Sequence, residues 1–283
     1  MFLRNEICTE RFCCWYFNKQ GGTMIKVGDR FENTRGSEYV VVEYLNYEKI
    51  TVEFCDEHKY RVIKGGDCVK SGNIKNPYQP LLFGVGYHGV GKHKSKEGPS
   101  SKGFSRLPAY SAWSNMLSRC YNKDYTDPHV YEHSTVHEDW HCFQTFAEWY
   151  YNALSDFKWY GTPYLDKDIL GNGSIYSEQF CCIVPPVINS VITQKHGGKY
   201  LTGVIKYSNG LYRVVPGYSC SDLRFNDEKS AHMAFVEAKS EKIKALTNEH
   251  KEFLRPHVYE TLMTKDFRYK FSPFFEKPQN RTG

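Results

Sequence analysis

Short runs in which apolar and polar residues alternate occupy the chain from residue 24 to about residue 78 and predict β-strands. The runs EYVVVEYL, KITVEF and KYRVI are separated by residues typical of turns: Asn46, Asp56-Glu57 and Gly65-Gly66. Strands this short and this evenly spaced predict a small all-β unit, most simply a five-stranded barrel. Barrels of this size accompany nucleic-acid enzymes, bind proteins or only support neighbouring domains.

The apolar period changes at residue 109 from that of a strand to that of a helix. Tyr110, Trp113 and Leu117 recur at spacings of three and four, and Phe143, Phe146 and Tyr150 repeat the pattern further on. Each set defines one apolar face of an amphipathic helix. The sequence therefore predicts two helices whose aromatic faces form a core.

The stretch from Leu165 to Asn189 predicts a strand, a turn, a second strand and a helix. Residues 165–169 alternate as a half-buried strand does, and Gly171, Asn172 and Gly173 accept the positive φ of a tight turn. Residues 180–184 form a second apolar run. Pro185 and Pro186 fit the start of a helix, where a missing N–H is tolerated, so Asn189 lies in its first turns.

This ββα order resembles the HNH motif of homing endonucleases from phages and introns. In that family an Asp on the first strand and an Asn or His on the helix hold one divalent cation. Asp166 and Asn189 match those two positions, so the resemblance implies a Mg or Mn site. Lys167 stands where the family has its general-base His, and Phe180 where it has the Asn that orients that His.

The helical pair strengthens this resemblance, since YSAWSNMLSRCY and HEDWHCFQTFAEW are similar to a phage and mobile-element branch of HNH-type proteins. In that branch a Lys or Arg commonly follows the strand Asp, as Lys167 does here. A lysine with its ordinary pKa is protonated at neutral pH and cannot act as a base. Either burial beside a metal depresses the pKa of Lys167 so that it can act as base, or Lys167 binds the scissile phosphate and Asp168, His133, His137 or His141 is the base. Alternatively, the core is vestigial and the protein only binds DNA.

Three strands and a long helix are predicted from residue 196 to about residue 265. Ser208-Asn209-Gly210 is a strong hairpin turn, and Asn226 is a good N-cap before the helix. The segment resembles the Apetala-type DNA-binding domain of plant ethylene-response factors, which also ends phage HNH endonucleases. The resemblance implies binding to double-stranded DNA through the exposed face of the sheet, with Lys206, Tyr212, Arg213 and Arg224 as contacts. The remaining positions that match are Gly203, Val204, Phe225, Ala231, Ala234, Phe235 and Ala238.

Residues 79–108 are rich in Gly, Ser and Lys and predict a flexible basic linker over a phosphate backbone. Gly84, Gly86 and Gly89 spell G-x-G-x-x-G, but the strand and helix that a nucleotide-binding loop needs are not predicted around them, so no nucleotide cofactor is expected. The basic residues that would contact DNA are Lys92, Lys94, Lys96, Lys102 and Arg106.

A zinc hydrolase is a second alternative because His137, Glu138 and His141 spell H-E-x-x-H. On a helix this spacing presents two imidazoles to zinc, with the Glu as base. Against it, the motif follows a β-branched run, and Trp140 and Phe143 are explained as core aromatics.

The composition of the chain excludes some classes of protein but does not identify its function. The net charge of +5 and the pI near 8.5 allow a polyanionic partner. No C-x-x-C occurs among the ten cysteines, and no apolar run approaches the roughly 18 residues of a membrane span. We therefore expect a soluble protein of the cytoplasm, that of the host cell if a phage encodes it, with no membrane partner.

The predicted fold class is α+β and multidomain. A small N-terminal β-barrel precedes a helical pair with a ββα-metal core of HNH type, and a three-stranded sheet with a long helix follows. The predicted segments are a tail or extended start (1–23), the barrel (24–78), the linker (79–108), the nuclease-like core (109–195), the Apetala-like domain (196–265) and a tail (266–283).

Overall fold

A computed structural model of the chain describes residues 24–98, 105–124, 131–154, 163–171, 173–194 and 198–276. The chain divides into two compact units between Asn76 and Pro77, close to the boundary predicted at residue 78. Helices and several small sheets are both present in the described ranges, which confirms the α+β class. The predicted tail at residues 1–23 lies outside them.

The N-terminal unit is an antiparallel sheet with one short helix. Its strands pair in the order β1-β2-β3-β4, so each strand lies beside its neighbour in sequence. The apolar side chains of one face form its core, and Tyr39, Ile50, Val52 and Phe54 are completely buried there. The elements are β1 (Arg30–Glu32), β2 (Glu38–Asn46), β3 (Lys49–Phe54), β4 (Arg61–Lys64) and α1 (Gly66–Ser71).

The predicted five-stranded barrel is wrong, because the sheet within residues 24–98 has four strands and stays open between β1 and β4. Helix α1 covers the apolar face instead: Val69 is buried, and the Tyr39 hydroxyl donates to its carbonyl at 2.7 Å. Gly66 is the first residue of this helix, not part of a turn between strands. A Cβ on Gly66 would lie 2.3 Å from the Tyr47 ring, so the glycine allows the helix to approach the sheet.

The predicted helical pair is confirmed as α2 (Pro108–Tyr121) and α3 (Phe143–Leu154). Trp113 and Phe143 meet with ring centroids 5.4 Å apart, and the Trp113 indole N–H donates to the Trp140 carbonyl at 2.7 Å. Both tryptophans are 2% exposed. The aromatic stripe predicted from the sequence is therefore a core in which the buried Trp113 N–H has a hydrogen-bond acceptor.

The predicted linker is not a free arm, because its described part folds against α3. The Gln144 side chain accepts from the His93 backbone N–H and donates to the His93 carbonyl, both at 2.9 Å. Gly89 and Gly91 allow this approach: a Cβ on Gly91 would lie 2.3 Å from Gln144 Oε1, and one on Gly89 would lie 2.5 Å from Cys142 Sγ. Of the three glycines that resemble a nucleotide-binding loop, Gly86 and Gly89 are thus explained by packing, whereas Gly84 has a positive φ and no atom within 4 Å of an added Cβ. Two short strands close the segment, β5 (Lys96–Glu97) and β6 (Ser105–Arg106).

The two strands and the helix predicted over residues 165–189 are present, although both strands are shorter than predicted, and Asn172 of the predicted turn lies outside the described residues. Strands β8 and β10 pair antiparallel, with Asp166 opposite Cys182, and helix α4 begins at Pro186. The intervening loop also contains a strand that sequence did not predict, β9, which pairs in parallel with β7. The bounds are β7 (Thr135–Val136), β8 (Tyr164–Asp166), β9 (Ile175–Tyr176), β10 (Cys182–Val184) and α4 (Pro186–Thr193).

The C-terminal segment is a hairpin on a long helix, where three strands were predicted. The third strand is reduced to one bridge, in which Tyr212 and Phe225 exchange two backbone hydrogen bonds at 2.9 Å. Asp227, not Asn226, caps the helix, since its carboxylate accepts from the Ser230 N–H at 2.8 Å. The bounds are β11 (Val204–Lys206), β12 (Tyr212–Val214), α5 (Glu228–Glu249) and α6 (Pro256–Thr264).

The predicted boundary between residues 195 and 196 does not separate two cores. Ile188 of α4 and Cys182 of β10 belong to the same buried cluster as Phe235 of α5 and Leu262 of α6. The predicted tail also contributes, because Phe267 is 3% exposed in that cluster. The ββα segment and the C-terminal helices therefore fold as one body.

Candidate functional site

The predicted metal ligand Asp166 ends β8 and first serves to shape the turn that follows. Its Oδ1 accepts hydrogen bonds from the backbone N–H groups of Asp168 and Ile169 at 2.7 and 2.8 Å. The residue is 5% exposed, and burial and the Asp168 charge raise the pKa of its carboxyl. One of its two oxygens is thus already used by the backbone.

The predicted catalytic residues Lys167 and Asp168 pair with each other. Lys167 Nζ donates to Asp168 Oδ1 at 3.1 Å, and Lys270 Nζ lies 3.0 Å from Asp168 Oδ2. Burial opposes ionisation of Asp168, but the two ammonium groups outweigh it and hold the pKa of that carboxyl below its usual range. A carboxylate held ionised by two cations is a poor proton acceptor, so its suitability as a general base is low.

The Lys167 ammonium is enclosed by aromatic rings. It lies 5.7 Å from the centroid of Tyr131 and 5.5 Å from that of Tyr176, and the residue is 9% exposed. Cation–π contacts of this kind stabilise the charged form of lysine. Within the described residues Lys167 is therefore held by its own chain, not presented towards solvent.

A third lysine, Lys265, binds the same turn from the end of α6. Its ammonium donates to the carbonyls of Asp168, Ile169 and Gly171 at 2.9, 2.8 and 2.8 Å. Sequence reasoning missed this residue because nothing along the chain relates position 265 to positions 168–171. Three lysines and two aspartates consequently share one turn.

The second predicted metal ligand, Asn189, lies on α4, which packs beside β8. Its backbone N–H donates to the Pro185 carbonyl at 3.1 Å, and its carbonyl accepts from Thr193 Oγ1 at 2.8 Å. The side chain is half-buried. The elements that carry Asp166 and Asn189 therefore adjoin, as the ββα order requires.

The donor set around this turn fits a divalent cation poorly. Of the two acidic groups, Asp166 gives one oxygen to the backbone and Asp168 is neutralised by two ammonium groups. Among the described residues no group of three or more His, Cys, Asp or Glu side chains could hold a metal ion. A cation placed here would also be repelled by Lys265, Lys270 and Lys167.

The H-E-x-x-H residues lie on a single 3₁₀ turn, Glu138–His141, with His137 as its N-cap. Residues four apart point about 120° apart on a 3₁₀ helix, compared with about 40° on an α-helix. His137 Nδ1 accepts from the Asp139 N–H at 3.4 Å, whereas His141 Nε2 lies 3.3 Å from the Tyr121 hydroxyl. Burial lowers the pKa of His141. This geometry gives the zinc-hydrolase alternative no support.

The basic residues of the predicted linker differ in their surroundings. Lys92 Nζ lies 2.9 Å from Glu148 Oε2, which also accepts from His93. Lys94, Lys96 and Arg106 are exposed, and the Arg106 guanidinium lies 6.0 Å from the Tyr110 ring. Lys102 lies outside the described residues. A surface with positive charge remains, but it is anchored to α3.

The hairpin β11–β12 presents different residues on its two faces because strand side chains alternate. Val204 and Val214 are a cross-strand pair that is buried on the side of α5. The next pair, Ile205 and Arg213, therefore points to the outer face. Tyr207 follows β11 on that outer side and pairs with Leu211 through its backbone N–H at 2.8 Å.

Two arginines converge on Tyr207 at the outer face. The guanidinium carbons of Arg213 and Arg224 lie 4.9 and 5.0 Å from the centroid of its ring. Arg224 Nη1 is further fixed by donating to the Asp222 and Leu223 carbonyls at 2.8 and 3.1 Å. We refer to Tyr207, Arg213 and Arg224 as the Tyr207 cluster.

Arg213 is the member of the cluster whose N–H donors have no hydrogen-bond acceptor among the described residues. Its Nε is buried without a hydrogen-bond partner, and its guanidinium donates to no residue within the described ranges. A buried N–H without an acceptor is unfavourable by about 1–3 kcal/mol. Because Nε has almost no accessible surface, an acceptor from outside the described chain could bind Arg213 only through the terminal Nη groups of this half-buried cation.

The other two predicted DNA contacts, Lys206 and Tyr212, form the cross-strand pair that follows Ile205 and Arg213. Alternation therefore places them on the side of α5, on the opposite face of the hairpin from the Tyr207 cluster. Lys206 Nζ lies 5.0 Å from the Tyr212 centroid, and a hydrogen bond to Tyr212 raises the pKa of this exposed lysine. Tyr200 meets Tyr212 edge to face at 5.9 Å. Sequence reasoning found four of these residues and missed Tyr207, although its alternation with Ile205 places it on the same face as Arg213.

Comparison of the chain with protein-family models, with curated proteins and with solved structures finds no significant match. Across the ranges that the structure describes, every helix is too short or too polar to cross a membrane.

Proposed function

We propose that this chain binds double-stranded DNA through the Tyr207 cluster on the outer face of the C-terminal hairpin, and that its ββα segment supports this hairpin without cleaving DNA. The observation that carries the proposal is Arg213: its guanidinium is held against Tyr207 and donates to no described residue. The resemblance of the segment to Apetala-type domains supports the same surface.

Duplex DNA supplies the acceptors that such an arginine needs. A guanidinium binds a phosphate or the edge of a guanine with two parallel hydrogen bonds, and a two-stranded ribbon fits the major groove. Stacking on Tyr207 fixes the plane of the group before binding, which reduces the entropy lost on association. The net charge of +5 favours a polyanion as partner.

The hairpin is also held rigidly enough to present these groups. Val214 is completely buried against the α5 side, and Phe225 closes the hairpin through two hydrogen bonds to Tyr212. Helix α5 is in turn packed against α4 of the ββα segment within one core. A support role for the ββα segment follows from this continuity.

The proposal is tested by fluorescence anisotropy of a labelled duplex with the wild type and with Arg213→Ala. We expect affinity to fall roughly 5- to 150-fold, which corresponds to about 1–3 kcal/mol for one good arginine contact. The slope of log affinity against log salt should flatten by about one if the contact is to phosphate. Lys244→Ala, on the exposed side of α5, makes the same change in charge and should weaken binding less than about twofold.

Arg213→Lys separates charge from geometry, since a lysine keeps the charge but not the planar fork. We expect it to recover only part of the lost affinity. Equal affinity of the wild type and Arg213→Ala, with both variants folded by circular dichroism, would remove the Tyr207 cluster from the interface. Absence of binding to any duplex by the wild type would overturn the function itself.

The metal-dependent endonuclease implied by the HNH resemblance is the second candidate. It is favoured by one observation, that Asp166 and Asn189 lie on adjoining elements in the ββα order. Incubation of plasmid and phage DNA with the protein in Mg²⁺ or Mn²⁺ distinguishes the two. Cleavage that Asn189→Ala abolishes while DNA affinity is kept would establish the endonuclease, and binding without cleavage would support our proposal.

A further inference from the structure

The turn after β8 contains a cage of backbone oxygens around a single ammonium group. The carbonyls of Asp168, Ile169 and Gly171 all accept from Lys265 Nζ, at 2.8–2.9 Å. A lysine ammonium has three N–H donors, so each donor here has one acceptor. All three N–H donors of Lys265 are therefore used by the turn.

Lys265 is positioned for this role by its own element. It is the C-cap of α6, and its backbone N–H donates to the Thr261 carbonyl at 2.8 Å. Burial lowers the pKa of Lys265, and the Lys270 charge lowers it further, whereas the charges of Asp166 and Asp168 act in the opposite direction. The C-terminal end of α6 thus places one positive charge beside a turn that contains two carboxylates.

We propose that this carbonyl cage is a cation site and that Lys265 is a tethered cation, which organises the turn in the way a bound ion would. If so, removing the side chain leaves a site for a free cation of similar size, such as methylammonium or K⁺. The oxygen distances suit an ammonium-sized ion, because Mg²⁺ needs about 2.0–2.1 Å and Ca²⁺ about 2.3–2.6 Å. The proposal does not depend on whether the chain binds DNA.

The neighbouring lysine provides a matched control. Lys270, in the 3₁₀ helix Arg268–Lys270, also reaches this turn, but its ammonium contacts the side-chain Oδ2 of Asp168 at 3.0 Å and, among the described residues, no cage carbonyl. Loss of Lys270 therefore removes a charge of the same sign close by and leaves the cage filled. An effect that is specific to the cage should appear in Lys265→Ala and not in Lys270→Ala.

The test is thermal unfolding of the full chain at one ionic strength, with choline chloride replaced by methylammonium chloride, KCl or MgCl₂. In choline, Lys265→Ala should lose on the order of 10 °C in Tm, since three hydrogen bonds from a charged donor are lost. Methylammonium, and K⁺ to a smaller extent, should restore part of that loss in a saturable way. The wild type, Lys270→Ala and Lys265→Met, whose side chain still fills the site, should show no such specific recovery.

Several outcomes would overturn the proposal. These are a Tm of Lys265→Ala equal to that of the wild type, recovery by MgCl₂ alone, or an equal response of Lys265→Ala and Lys265→Met to methylammonium. If Lys265→Ala does not fold in choline, the same salts are supplied during refolding. Folding only with methylammonium or K⁺ then supports a tethered cation, and no folding in any salt counts against it.

Discussion

The free energy of unfolding should depend on pH because of one buried lysine, Lys239. The residue lies in the middle of α5 and is 0% exposed. Its ammonium donates to the Gln194 carbonyl at 2.7 Å and lies 4.1 Å from the centroid of Phe271. Burial lowers the pKa of Lys239 from 10.5 to about 8. The helix that supports the hairpin therefore contains a charge that is unfavourable at neutral pH.

The sign of the effect follows from proton binding in the two states. Between pH 8 and 10.5 the unfolded chain keeps the proton on Lys239 and the folded chain releases it, so stability rises with pH across this window. Below pH 8 both states are protonated and the folded state carries the full penalty. The two pKa values differ by an amount that corresponds to roughly 3 kcal/mol, and we expect about 2 because local relaxation reduces such penalties.

Urea unfolding at a series of pH values from 7 to 10.5 measures this directly when the wild type is compared with Lys239→Met. The unfolding free energy of the wild type should rise by about 2 kcal/mol relative to the variant, which has no titrating group there. Lys242→Met is the control: Lys242 on the same helix also donates to a carbonyl, that of Gly217 at 2.9 Å, but at the surface. If the unfolding free energies of the wild type and Lys239→Met change with pH in parallel, burial does not destabilise the charged form of Lys239.

Two further substitutions test the packing of the second unit. Gly203→Ala should destabilise the fold by about 3 kcal/mol or more, because Gly203 has φ +81° and a Cβ would lie 2.3 Å from the Phe235 ring. Gly210→Ala is the control: Gly210 has φ +89° and no atom within 4 Å of an added Cβ, so this substitution should destabilise the fold by only about 1 kcal/mol. Equal losses in urea unfolding would contradict the close contact with Phe235. Trp113→Phe should lose about 2–4 kcal/mol, since the Trp140 carbonyl loses its buried donor; a loss below about 1 kcal/mol would show that the hydrogen bond contributes little.

Periodicity predicted much of the local structure correctly. The helices that begin at Pro108 and Phe143 and the helix that begins at Pro186 are present where spacing or proline placed them, and the strand predicted over residues 165–169 is present but ends at Asp166. These signals are local, because the side-chain period and the missing N–H of proline act within one element. The N-cap prediction missed by one residue, since Asn226 and Asp227 are both good caps and only the backbone decides between them.

The errors concern contacts between residues far apart along the chain. The predicted barrel fails because α1 covers the apolar face, and the predicted linker fails because Gln144 binds the backbone at His93. Helices α4 and α5, which lie on either side of the boundary predicted at residue 195, contribute to one core. A local pattern states that a face is apolar, but it does not state which other element will cover it.

The candidate site was also predictable from the sequence only in part. The sequence determined the order of the elements, and it identified Arg213 and Arg224 among the residues proposed to contact DNA. Strand alternation and turn formation depend on neighbouring residues, so both can be predicted from the sequence. Only the tertiary structure placed both arginines on Tyr207 and brought Lys265 onto the turn of Asp168, which is 97 positions away. Charges interact through space rather than along the chain, so the electrostatic partners of Asp166 and Asp168 were decided by folding.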